Sequence, residues 1–135
     1  MPNSNKASLW QMKDQTKNAH LIKGHEMEKL AIEYLVGQGL RLLQRNFRSR
    51  LGEIDLIGFY QNQLIFVEVR FRRHSNYGSA ADSVNYKKQQ KLIRTARYFL
   101  HIHPQYANLA CRFDVIAVTL VNNESNLEWI QNAFC

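Results

Sequence analysis

Four charged residues stand inside or beside apolar runs, where an ion is costly without a partner: Glu53, Asp55, Glu68 and Arg70. The runs themselves, residues 54–60 and 64–71, are rich in Ile, Val and Phe, and the polar Gln61-Asn62 between them suits a tight reversal. If the hairpin is symmetric about that pair, partner numbers sum to 123, so Asp55 faces Glu68, Glu53 faces Arg70, and all four share one face. Glu53 with Arg70 is a favourable ion pair. Asp55 with Glu68 sets two carboxylates about 5 Å apart at Cβ, which is repulsive unless a cation intervenes. A hard divalent ion reverses that sign, because Mg²⁺ and Mn²⁺ are held by one or two carboxylates together with water and phosphate oxygens. The plainer reading stays open beside it: a strand with one wet face alternates charged and apolar residues, and a shifted register would separate the two acids.

These residues need a sheet and helices to hold them. From Met27 the apolar residues Leu30, Ala31, Tyr34 and Leu35 follow helical spacing, ending near Gly37 and Gly39. Glu28 borders that stripe in line with Ala31 and Leu35, able to face the sheet or to sit solvated at the helix edge. Residues 40–47 read as a first strand running into a basic loop that ends at Gly52. After the hairpin, residues 72–83 read as a loop, and Leu92, Ile93, Ala96, Phe99 and Leu100 mark a second amphipathic helix with Pro104 just beyond it. Residues 113–121 are a β-branched strand, and 127–130 add a short edge strand. Asp114, inside the former, reads as structural. Helix, strands, helix and strands make a mixed α/β domain, a sheet flanked by helices.

The 135 residues, 45% of them hydrophobic, suffice for one core, and a single domain over 21–135 is expected after a loosely ordered polar tail over 1–20. A net charge of +7 favours polyanionic partners. Arg70, Arg72, Arg73 and His74 lead out of the hairpin, and Lys87, Lys88, Lys91, Arg94 and Arg97 decorate the second helix. Together they could follow a phosphate backbone, or serve as an ordinary solvated face. Tyr77 and Tyr86 bracket the region and could stack on a base. No apolar run reaches the roughly 18 residues of a membrane span, and the first 20 residues lack the apolar core of an export signal, which points to the cytoplasm and to no membrane partner. Cys111 and Cys135 lack zinc-type spacing and read as reduced thiols. His101 and His103, two apart at a helix end, diverge and do not make a joint metal site.

Gly-Glu-Ile-Asp-Leu-Ile at 52–57 followed by Phe-Val-Glu-Val-Arg at 66–70 resembles the core of PD-(D/E)XK nucleases. More narrowly, the chain resembles the YraN family of uncharacterised bacterial proteins, through those blocks and through Gly24 with Glu28 and Ala31, Gln-Arg-Asn at 44–46, Lys88-Gln89 with Lys91-Leu92, and Arg-Phe-Asp-Val-Ile at 112–116. The resemblance runs from about Gly24 to Phe134. It implies a restriction-endonuclease-like mixed central sheet flanked by helices, similar to that of Holliday junction resolvases. It also implies a Mg²⁺- or Mn²⁺-dependent endonuclease acting on DNA, branched or repair intermediates included.

Carried over by position, the motif's acids fall on Asp55 and Glu68, its lysine on Arg70, and the early helix acid of the metal shell on Glu28. Gln89 takes the helix position at which related nucleases carry a polar residue near the metal, or serves as a cap or a core hydrogen-bonding group. Metal ligands would thus be Asp55, Glu68 and Glu28, with Arg70 and Gln89 completing the catalytic set and Arg70, Arg72, Arg73, Lys87, Lys88 and Lys91 on the nucleic acid. Arginine stays protonated where lysine could exchange a proton, so Arg70 acts as an electrophile or phosphate clamp. That departure keeps a noncatalytic nucleic-acid-binding module as the alternative. Junction-cutting relatives act as dimers, so a homodimer is compatible with the resemblance.

Overall fold

A computed structural model describes residues 24–72, 83–122 and 124–134. Helix α1 spans 24–37 and buries Met27, Ala31 and Leu35, spaced four apart as the sequence predicts. It stops at Gln38-Gly39, where Gly39 has φ +110° and Leu40 N–H donates to Leu35 O at 2.9 Å. Five strands follow: β1 Arg41–Ser49, β2 Gly52–Tyr60, β3 Gln63–Arg72, β4 Cys111–Val121 and β5 Glu124–Phe134, with α2 Tyr86–Ile102 and a 3-10 turn Pro104–Tyr106 between β3 and β4.

The sheet order is β1-β2-β3-β4-β5, antiparallel except for β3 beside β4, whose parallel pairing requires the crossover that α2 supplies. The helices cover opposite faces. Leu92, Ala96 and Phe99 of α2 pack with Ile57, Leu64 and Phe66 of the sheet; Met27 and Leu35 of α1 pack with Leu56, Ile65, Val67 and Ile116. This is the restriction-endonuclease-like mixed sheet flanked by helices that the resemblance implies.

All five strands outrun their expected bounds. β3 continues to Arg72, and β5 has 11 residues where a short edge strand over 127–130 is expected. β5 is an edge strand dense in Glu, Asn and Gln, so its apolar pattern is weak, and pairing with β4 from Val121↔Glu124 to Phe113↔Phe134 extends it. The expected tail over 1–20, most of the 72–83 loop with Arg73, His74 and Tyr77, and Cys135 lie outside the described residues. Cys111 is a free, exposed thiol, raised by partial burial above its ordinary pKa. His103 stacks on Phe99 with its Nδ1 2.8 Å from Phe99 O, which gives its ring a packing role at the end of α2.

Candidate metal and nucleic-acid site

Gln61 and Asn62 both adopt positive φ, +50° and +67°, the geometry of a two-residue type I′ reversal. The turn fixes the expected register: Tyr60↔Gln63, Phe59↔Leu64, Gly58↔Ile65, Ile57↔Phe66 and Leu56↔Val67. There the ladder stops. Below Leu56, β2 stays with β1 down to Ser49↔Gly52, while β3 beyond Val67 stays with β4 as far as Arg72↔Thr119. The strands therefore part at Asp55 and Glu68. At the fork Asp55 Oδ2 accepts the Val69 N–H at 2.8 Å, satisfying an amide that has lost its ladder partner on that side. The side-chain alternation slips here as well: Ile54 and Ile57, three apart, both pack under α2. In β1, Asn46 with φ +51° stands between the pairs Arg45↔Leu56 and Phe47↔Ile54, level with Asp55.

The fork brings the two predicted acids together on the α2 side. Glu68 is buried, at 6% exposure, and its Oε2 accepts no hydrogen bond. Lys88 Nζ lies 3.2 Å from that oxygen and Arg70 Nη1 4.0 Å, so cationic charge is near although no donor is aligned. Burial first, then the hydrogen bond and the charge of Glu68, push Asp55 up to about 7, against the lowering pull of Val69 N–H and Lys88. Two carboxyl groups in such contact resist carrying two charges together.

Of the remaining expected residues, Arg70 and Lys88 reach this pair. Arg70 turns its guanidinium to Ser83, with Nε on the hydroxyl and Nη2 on the carbonyl, both at 3.1 Å. The expected Glu53–Arg70 ion pair is therefore not formed: beyond the fork Glu53 lies opposite Arg48, Oε2 to Nε 3.5 Å, and both are largely exposed. Glu28 sits on α1, and its Oε1 accepts from Arg45 Nε and Nη2 and from Asn46 Nδ2, each at 3.1 Å. It thus reaches the same end of the sheet as Asp55 but is engaged on β1. Among the described residues no three His, Cys, Asp or Glu side chains gather closely enough to hold a metal ion.

Gln89 donates its amide to Val84 O at 2.8 Å, and Asn85 caps α2 by accepting the Lys88 N–H at 2.8 Å. Both bonds order the entrance to α2, from which Lys88 reaches Glu68. Arg72 ends β3, half-buried, while Lys87, Lys88 and Lys91 are on the exposed side of α2 and Tyr86 is 74% exposed. Asp114 is fully buried and saturated: Arg112 grips it through Nε at 2.8 Å and Nη2 at 2.9 Å, and Trp129 Nε1 and Asn132 N–H each donate at 2.8 Å. Its structural reading holds.

Two features escape the sequence. One is the Lys88–Glu68 ion pair, which joins elements 20 positions apart, with only the lack of any acid in the first turn of α2 as a hint. The other is an open cleft of about 410 Å³ between the β1–β2 turn and α2, lined by Arg48, Ser49, Arg50, Gly52, Glu53, Lys88, Lys91 and Leu92.

Residues 27–118, which include Glu28, Asp55, Glu68, Arg70 and Gln89, match the Uncharacterised protein family UPF0102. The chain belongs to the YraN (UPF0102) family. A UPF0102 protein of Saccharophagus degradans is 50% identical over 115 residues, covering 85% of this chain and 94% of its own. Another, from Stutzerimonas stutzeri, is 48% identical over 111 residues, 82% of this chain and 92% of its own. A third, from Alcanivorax borkumensis, is 47% identical over 112 residues, with 82% and 90% covered. No helix among the described residues is long and apolar enough to cross a membrane.

Proposed function

We propose that the chain is a divalent-metal-dependent phosphodiesterase acting on DNA, with branched or repair intermediates among its substrates, and that Asp55 and Glu68 hold Mg²⁺ or Mn²⁺. The observation that carries this reading is the forked-strand pair: one carboxyl pushed up to about 7 by burial and then by its neighbour, the other buried with an oxygen that accepts no hydrogen bond. Fixed carboxylate oxygens that repel each other, one of them buried with no aligned protein donor, fit a hard divalent cation. Bound there, such an ion would supply Lewis-acid charge toward a phosphoryl oxygen and acidify water.

The chain's own groups do the rest. Arg70, aimed by Ser83 and 4.0 Å from Glu68, keeps a permanent positive charge beside the pair, suited to the charge that develops on phosphorus oxygens. Gln89 positions the start of α2 through Val84 O. Glu28, one strand away, could add to the metal shell only by giving up part of its hold on Arg45 and Asn46. Arg70, Arg72, Lys87, Lys88 and Lys91, with Arg73, would track the DNA backbone.

One observation favours a second reading, a noncatalytic DNA-binding module: Arg70 replaces the motif's lysine and spends two of its nitrogens on Ser83. To separate the two, the chain and its Asp55→Asn variant are incubated with linear duplex, single-stranded and four-way-junction DNA in Mg²⁺ or Mn²⁺. Cutting that disappears in the variant while DNA binding persists is expected. Binding of DNA by both without cutting would replace the enzyme by the module, and neither binding nor cutting would sink both readings.

A further inference from the structure

The cleft between the β1–β2 turn and α2 gathers Arg48 from the end of β1, Arg50 from the turn and Lys88 and Lys91 from the helix around one opening of about 410 Å³. Glu53 is the acid in its lining, and Arg48 already neutralises it at 3.5 Å. Lys88 also answers Glu68 behind the wall. Even with both acids counted, an excess of two positive charges faces the opening.

Such an arrangement works against stability. Lys87 and Lys88 occupy the first turn of α2, where the helix dipole already presents positive charge and the turn itself holds no acid. The turn is nevertheless pressed onto the helix: a Cβ at Gly52, whose φ is +150°, would come within 2.9 Å of Thr95 Oγ1 and 3.2 Å of the Lys91 side chain. Glycine there keeps the turn low against α2 and the four cations close together. The turn is also shaped from within, since Ser49 Oγ donates to Gly52 O and accepts the Leu51 N–H, both at 3.1 Å.

We propose that this cleft binds a phosphodiester group of DNA, one that flanks the group held at Asp55 and Glu68, with Arg48 and Arg50 as its principal contacts. Lys88 stands in both sites, in the cleft lining and on Glu68, so the DNA backbone would pass from one to the other across that side chain. The inference rests on the nucleic-acid reading above and adds to it a second phosphate position, built from the end of β1, the β1–β2 turn and α2.

The test is fluorescence anisotropy with a labelled 20-base-pair duplex in EDTA, where metal chemistry plays no part. Three full-length proteins are compared: the unaltered chain, Arg48→Gln/Arg50→Gln, and Lys29→Gln/Arg41→Gln, which removes the same charge far from the cleft. Arg48 and Arg50 are exposed, so their loss leaves the fold intact. The cleft variant is expected to bind about tenfold more weakly at moderate salt, with a salt dependence shallower by about one to two units of slope, while the control stays within about twofold.

Equal losses in both variants would reduce the effect to net charge and overturn the proposal, as would no loss in the cleft variant or no binding by the unaltered chain. Mn²⁺ binding by the same proteins keeps the two readings apart. A cleft variant that binds DNA normally while Asp55→Asn still abolishes metal binding ends the cleft and spares the metal site. Lost DNA binding beside absent metal binding does the reverse.

Discussion

Asp114 and Glu68 are buried acids on adjacent strands, one register step apart, since Val67 pairs with Asp114 and Glu68 with Val115. Asp114 has two donors on each oxygen, a bidentate arginine among them, and locks the bulged end of β5 through Asn132 N–H. Glu68 has a buried oxygen with no hydrogen bond and a second carboxyl against it, at the point where two strands part. A fold that can saturate one acid so completely has the means to saturate another. The forked pair is left short of donors, which supports the site proposed there, and the contrast can be broken or sharpened by mutation.

The largest effect belongs to the saturated acid. Asp114→Asn leaves Arg112 facing a neutral group in the interior and should cost about 3–5 kcal/mol in urea unfolding, with no change in the stoichiometry of metal binding by the folded fraction. Next comes Gly52→Ala, which adds a methyl group against Thr95 and demands a positive φ of alanine; a loss of about 1–3 kcal/mol is expected, together with weaker DNA binding as the turn lifts from α2.

At the fork the sign reverses. Asp55→Asn removes like-charge repulsion and in EDTA at pH 8 should stabilise by about 1 kcal/mol, even though it gives up a charged acceptor for Val69 N–H. The pH dependence follows from the raised Asp55 value. Between about 4 and 7 the folded chain holds a proton on this group that the unfolded chain has released, so its contribution to stability is present at low pH and is lost as pH rises toward 7. The advantage of Asp55→Asn over the unaltered chain should therefore grow across that window and level off above it. Metal competes with the same proton, so Mn²⁺ affinity should climb from pH 6 to pH 8. A flat difference across the window would remove the basis for the raised value.

Much of this arrangement is legible in the residues because it is local. Gln61-Asn62 between two β-branched runs specifies the hairpin and its register as far as Leu56↔Val67, one step short of Asp55 and Glu68. What fails is the extrapolation past the fork: pairing numbers alone carry Glu53 to Arg70, but β2 follows β1 while β3 follows β4, and nothing in residues 52–70 says where the two strands part company. The partners that Arg70, Glu28 and Glu68 find instead, Ser83, Arg45 with Asn46, and Lys88, come from other elements, and such contacts follow from packing that no spacing encodes. β5 was readable only at its apolar centre, since its ends are polar residues held by β4.

Calorimetric titration of Mn²⁺ at pH 7.5 into the unaltered chain, Asp55→Asn and Glu68→Gln, each shown to be folded, tests the central claim most directly. Saturable binding in the unaltered chain that vanishes in both variants is the predicted result. No binding with or without duplex DNA, or binding that survives both substitutions, would contradict a metal site at the fork.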